Sequence, residues 1–232
     1  MNKICLYISL CMLFGLISCE SEMDNYSEPK ETLTGKVIDA ATGQPILTEQ
    51  PNGFQIRYKE VGYSADAPDR YIWGKADGTF QHTKLFANQY EITPVNGPFV
   101  QPETKVIDIK GVTELDFTVT PYLNISEFTT SLTGGVLTVN FTINRPDVVT
   151  SKLNYAFIAI DWNPNVGNAV SKIKETINYS ETDDSDILGK PQSIQIDLKS
   201  LEKGYTYYVR MGACTNANTS RYNYSTVMEF EY

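Results

Sequence analysis

Histidine is nearly absent from this chain: His82 is the only one in 232 residues. Any Ser/His/Asp or Cys/His catalytic arrangement would have to run through that ring, which sits in the short apolar-polar run Phe80–Phe86 and reads as a structural or surface histidine. No G-x-S-x-G elbow, phosphate loop or dinucleotide fingerprint occurs, so nucleophilic hydrolysis on that pattern and nucleotide chemistry lose their usual signals, and no cofactor is expected. A hydrolase built on two carboxylates would need a cleft with a defined separation, which two small sandwiches rarely form. The expectation is a protein that is not an enzyme. Basic residues are also outnumbered, 19 Lys and Arg against 28 Asp and Glu, for a formal charge of −9 and a pI near 4.7. A nucleic-acid partner needs clustered Lys and Arg to neutralise phosphates, so that class is set aside.

Long apolar runs are missing as well, with one exception. Ile4–Ile17 is an apolar stretch of fourteen residues behind the positive Lys3. That is signal-peptide length and short of the roughly 20 residues that a spanning helix needs. It ends in Leu16-Ile17-Ser18-Cys19, which resembles a bacterial lipobox: an aliphatic residue, a small residue before the cut, then cysteine. The resemblance implies that residues 1–18 are removed and that the Cys19 thiol takes a diacylglycerol, with several acyl chains giving stable anchoring. The alternative is an ordinary cleaved signal with a chance cysteine. Residues 19–30 form a polar tether carrying Glu20, Glu22, Asp24 and Glu28. It resembles the acidic export signal that follows the lipid cysteine in surface-exposed lipoproteins, with a plain solvated linker as the alternative. The expected location is the outer membrane, lipid-anchored and facing the cell exterior.

Cysteine is scarce beyond that point. Cys5 and Cys11 leave with the signal, Cys19 is lipidated, and Cys214 stands alone. No intramolecular disulfide is expected, so a hydrophobic core must hold the fold. Cys214, in Val209-Arg210-Met211-Gly212-Ala213-Cys214, reads as a small buried hydrophobe.

What is present is alternation. Thr32–Ile38, Phe54–Tyr58, Tyr71–Trp73, Thr79-Phe80 after the turn Asp77-Gly78, Tyr90–Ile92, Val106–Ile109 and Leu115–Val119 read as seven short strands. Trp73, alternating with Tyr71, is assigned to the core. Pro121 marks a boundary, after which the pattern restarts at Leu123, runs through the fuller apolar stretch Tyr155–Trp162, and ends at Val227–Tyr232. Asn168–Tyr179, with Val170, Ile173 and Ile177 at helical spacing, is the one helical candidate. The expectation is all-β: a sandwich over residues 31–121, then another over 122–232.

Gly35-x-Val37-x-Asp39-x-x-Thr42-Gly43-x-Pro45-Ile46, Asp77-Gly78-Thr79-Phe80 and Tyr90-Glu91-Ile92 resemble the carboxypeptidase regulatory-like fold, a transthyretin-type sandwich. With Gln50-Pro51-Asn52-Gly53, Leu85-Phe86-Ala87 and Asn96-Gly97-Pro98-Phe99, and an immunoglobulin-like second sandwich, the chain resembles a family of lipoproteins of unknown function encoded in polysaccharide-utilisation loci. Those loci also encode starch-utilisation-type outer-membrane transporters and their partner lipoproteins. The resemblance implies a surface role in handling glycans and supplies no catalytic residues.

Two clusters suit a glycan. Aromatic rings stack on the apolar faces of sugars while polar neighbours bond the hydroxyls. Asp161-Trp162-Asn163-Pro164-Asn165 places an indole in a polar loop, and Tyr222-Asn223-Tyr224 lies in another loop. Asp161, Trp162, Asn163, Tyr222 and Tyr224 are therefore the candidate glycan contacts, against the alternative that the aromatics are core or domain-interface residues. Asp183, Asp184 and Asp186 crowd one loop, but the calcium-loop pattern is missing, so they read as a solvated acidic loop with no metal. The expected function is non-catalytic polysaccharide capture and uptake, the alternative a structural spacer or adhesin-like component of an outer-membrane complex.

Overall fold

The computed structural model describes residues 27–62 and 67–232. Cys19 and the signal segment lie outside them. The described residues fold into two β-sandwich domains, with a single helical turn among them, α1 (Asp184–Ile187), in the second.

The first domain begins with β1 (Glu31–Asp39), whose side chains alternate strictly between core and surface. Strand period 2 dictates this, since successive Cβ atoms point to opposite faces. β1 pairs antiparallel with β4 (Thr79–Leu85) and parallel with β8 (Val112–Glu114) and β9 (Phe117–Pro121), and β9 carries the two-residue β6 (Phe99–Val100). The facing sheet runs β3 (Arg70–Trp73), β2 (Gln55–Glu60), β5 (Asn88–Val95), β7 (Lys105–Ile109). Leu33, Val37, Phe54, Ile56, Phe80, Tyr90, Ile92 and Phe117 fill the space between. The short β6 and β8 are additional to the seven strands that alternation marks.

Trp73 is not in this core. It is 41% exposed, and Tyr71 is exposed too. The alternation in β3 holds, but Ile72 is the residue that packs inward. β3 is an edge strand, so its aromatic face looks to solvent, with the Arg221 guanidinium 5.7 Å from the Trp73 ring centre.

The second domain packs β10 (Asn124–Thr133), β11 (Val136–Asn144) and β14 (Pro191–Asp197) against β13 (Ile173–Asn178), β12 (Leu153–Asp161), β15 (Thr206–Thr215) and β16 (Asn223–Tyr224), with β17 (Met228–Glu231) also on β15. The helical reading of Asn168–Tyr179 fails. Ile173–Asn178 is strand β13, in register with β12 from Ile160↔Ile173 to Tyr155↔Asn178. Ile173, Thr176 and Ile177 are β-branched and fit a pleated edge better than a short helix.

β12 and β15 are buried on both faces. Ala156, Ile158, Ile160, Tyr207, Val209 and Met211 face the core of the second sandwich. The opposite face carries Phe157, Ala159 and Tyr208, packed with Val166, Tyr222, Tyr224 and Leu47 of the first domain. That outer cluster seats one domain on the other.

Candidate functional site

The loop leaving β12 displays Trp162. Asp161 is buried, and its Oδ1 accepts from Asn163 N at 2.9 Å; Asn163 Oδ1 in turn accepts from Asn165 N at 2.9 Å. These successive Asx turns reverse the chain around Pro164. Asp161 and the Asn163 carbonyl therefore shape the loop. Trp162 between them is 56% exposed. Lys172, whose N–H donates to Ile160 O, sets its ammonium 3.6 Å from the indole centre, a cation–π contact on one face of the ring.

Tyr224 is not an exposed platform. It is 6% exposed and packs edge-on to Phe157, with ring centres 5.9 Å apart. The half-buried Tyr222 meets the same Phe157 at 5.0 Å. Gly212 makes the packing possible: a Cβ there would lie 2.6 Å from the Phe157 ring and 3.1 Å from the Tyr224 ring. The structure thus separates the proposed contacts, leaving Trp162 at the surface and Tyr224 inside the domain interface.

Beside the Trp162 loop the two domains enclose an open cavity of about 590 Å³. From the first domain come Leu47, Glu49, Gln50, Ala76 and Asp77, and from the second Asn163, Pro164, Asn165, Val170, Arg210, Thr226 and Val227. The segment bearing Glu49 is held to the β3–β4 turn, where Thr48 N donates to Ala76 O at 3.0 Å and Thr48 Oγ1 to Lys75 O at 3.3 Å.

Glu49 is 6% exposed and Arg210 5%, yet both line the cavity. Glu49 Oε2 accepts from Ala169 N across the interface at 3.2 Å, and the Tyr224 hydroxyl accepts from Asn168 N at 3.2 Å. Burial and the adjacent Glu49 push the Tyr224 phenol well above its usual range. The Arg210 guanidinium stacks 4.2 Å from the Tyr224 ring centre, and its Nε donates to Ser225 O at 3.0 Å. Burial pulls its pKa down to about 10, against the opposing pull of Tyr224 and Glu49, so it stays cationic at neutral pH. Among the described residues its terminal nitrogens bond no acceptor, and Glu49 and Arg210 are not ion-paired with each other.

Other contacts fix the domains together. Asn223, buried, accepts from Leu123 N and donates to Pro98 O, each at 3.0 Å. Arg221 Nε donates to Asn96 O at 2.9 Å.

The remaining candidates have structural partners. His82 Nε2 lies 3.3 Å from the Tyr58 hydroxyl, and burial lowers its pKa. Asp183 caps α1 through Ser185 N, Asp184 pairs with Arg145, and Asp186 lies 3.8 Å from Lys190. Burial pushes the Cys214 thiol up to about 11, which suits the small buried hydrophobe expected there.

Residues 31–120 match the N-terminal domain of DUF3823, a protein family of unknown function, and residues 123–229 match its C-terminal domain. No curated protein matches the chain. The fold is similar to a crystal structure of a DUF3823 family protein from Bacteroides uniformis, at 26% identity and TM-score 0.76, covering 88% of this chain and 99% of that one. A Parabacteroides merdae member is similar at 24% identity and TM-score 0.73, covering 88% and 100%. The matched segments span nearly all of both sandwiches, and the chain belongs to the DUF3823 family.

Proposed function

We propose that this protein is a non-catalytic glycan-capturing lipoprotein, anchored through Cys19 and presented on the outer face of the outer membrane. It serves a polysaccharide-uptake system beside a starch-utilisation-type transporter and its partner lipoprotein. The observation that carries the reading is Trp162: a large exposed indole on a loop braced by its own Asp161 and Asn163, whose next residues, Asn163, Pro164 and Asn165, line an interdomain cavity. An exposed aromatic beside convergent polar groups is the arrangement that holds a sugar ring by stacking and hydrogen bonding. A further structural relative from Bacteroides uniformis, 23% identical, is described as "a putative carbohydrate binding protein", which supports the same class. His82 is bonded to Tyr58, and the acids of the Asp183–Asp186 turn cap or pair, which supports a role without catalysis.

Native gels cast with individual polysaccharides test this. The full chain is expected to be retarded by at least one polysaccharide, and Trp162→Ala to migrate nearer its sugar-free position. Free migration on a broad panel, together with normal glycan uptake after deletion of the gene, would contradict it.

A second reading, a rigid spacer within an outer-membrane complex, is favoured by the buried Asn223 bonds that lock the domains. It predicts recovery of membrane partners in pull-downs from solubilised envelopes and no retardation on any polysaccharide.

A further inference from the structure

The glycan-capture reading does not say where a sugar is gripped or which sugars fit. We infer that the interdomain cavity, formed by neither domain alone, holds one neutral sugar ring between Glu49 and Arg210; this rests on the glycan-capture reading. Both side chains are more than nine-tenths buried and both line the cavity. Burying two charged groups without an ion pair between them is costly unless something else bonds them. Glu49 is served on one side by Ala169 N, and Arg210 by Ser225 O through Nε alone. The terminal guanidinium nitrogens have no acceptor among the described residues and stay accessible from the open cavity.

A sugar hydroxyl is both donor and acceptor. Neighbouring hydroxyls of one ring can donate to the Glu49 carboxylate and accept from the Arg210 guanidinium, which completes both groups at once. The apolar face of the ring finds Leu47, Pro164 and Val170 on the walls. A volume of about 590 Å³ falls inside the range of about 300–1,000 Å³ usual for small-ligand sites.

Charge decides among sugars. An anionic uronate would face two carboxylates, Glu49 and Asp77, against one guanidinium. A neutral ring avoids that repulsion. Trp162, beside the cavity-lining Asn163, is placed for a neighbouring ring of the same chain.

Titration calorimetry on the full chain in detergent tests the assignment. The probes are glucose, galactose, mannose and xylose with their short oligomers, against galacturonate. Neutral saccharides are expected to bind and galacturonate to bind at least about tenfold more weakly. Arg210→Met and Glu49→Gln should each lower neutral-sugar affinity about tenfold or more, the scale of one lost charge-assisted bond. Removing a buried charge can unfold a domain, so Ala76→Trp, which fills the cavity from its rim and leaves both charges in place, is the deciding variant. Its binding should be lost with an unchanged circular dichroism spectrum. Unaltered affinity in folded Ala76→Trp, or a preference for galacturonate, would overturn the cavity assignment. If Trp162→Ala alone loses retention on polysaccharide gels, glycan capture stands and the cavity site falls. If the wild type is retained by no polysaccharide, both fall.

Discussion

Asn223 shows how one side chain can fix the geometry of a whole interface. Its amide oxygen accepts from Leu123 N, at the start of the second domain, and its amide nitrogen donates to Pro98 O in the first. Both bonds are buried, so deleting the amide strands Leu123 N away from water, while Pro98 O keeps its second bond from Tyr122 N. Asn223→Ala is expected to cost about 1–3 kcal/mol, read as a lower midpoint in denaturant unfolding. Asn223→Asp keeps the acceptor but buries a carboxylate against the Pro98 carbonyl oxygen, and should cost at least as much as Asn223→Ala. Glu49 and Arg210 belong to the same scale, and neither was legible in the sequence. Arg210 interrupts the apolar series Tyr207, Val209, Met211 at the position that points out of the sandwich. The Tyr224 ring of its own domain stacks on it and Ser225 O accepts from its Nε. Leu47 and Glu49 of the other domain line the same cavity, a meeting that no local pattern encodes.

At the scale of strands, alternation was a sound guide and its failures have physical causes. The central character of Tyr155–Trp162 was visible as a fuller apolar run, and β12 is buried on both faces. Trp73 alternates as expected, but period 2 does not say which face is the core, and Ile72 rather than the aromatics turned inward. Val170, Ile173 and Ile177 fit helical spacing by coincidence, while Ile173 and Ile177, both β-branched, pair with β12. Tyr224 read as a loop aromatic because β16 is only two residues long. Strand β15 tolerates the crowding of its outer face only through Gly212. Gly212→Ala would place a methyl 2.6 Å from the Phe157 ring, and overpacking of this kind is expected to cost about 1–3 kcal/mol. Thermal unfolding of the variant checks this, and a melting temperature equal to the parent's would show that Phe157 and Tyr224 are free to shift.

For the whole molecule, the two sandwiches share a large set of buried phenols. Burial raises the pKa of Tyr58, Tyr90, Tyr122, Tyr179, Tyr222 and Tyr224 above the ordinary 10.0. Above pH 10 the unfolded chain releases these protons while the folded chain keeps them. Stability from these groups is therefore complete below pH 10 and falls as pH rises through it. Arg210 works in the opposite direction: its pKa is lowered from 12.5 to about 10, so its burial penalty eases between those values. Six phenols outnumber one guanidinium, so the melting temperature is expected to hold steady from pH 7 to 9 and to drop above 10. A melting temperature that rises above pH 10 would contradict the assignment.

The account makes the Trp162 loop and the interdomain cavity beside it the place where glycan is met. Only Trp162 and Trp73 fluoresce as indoles in this chain, and both are exposed. The most direct measurement is tryptophan emission of the full chain during titration with a polysaccharide that retards it in gels. The predicted result is a saturable shift that persists in Trp73→Phe and disappears in Trp162→Phe. A shift that survives in Trp162→Phe and vanishes in Trp73→Phe, or no shift with any retained polysaccharide, would contradict it.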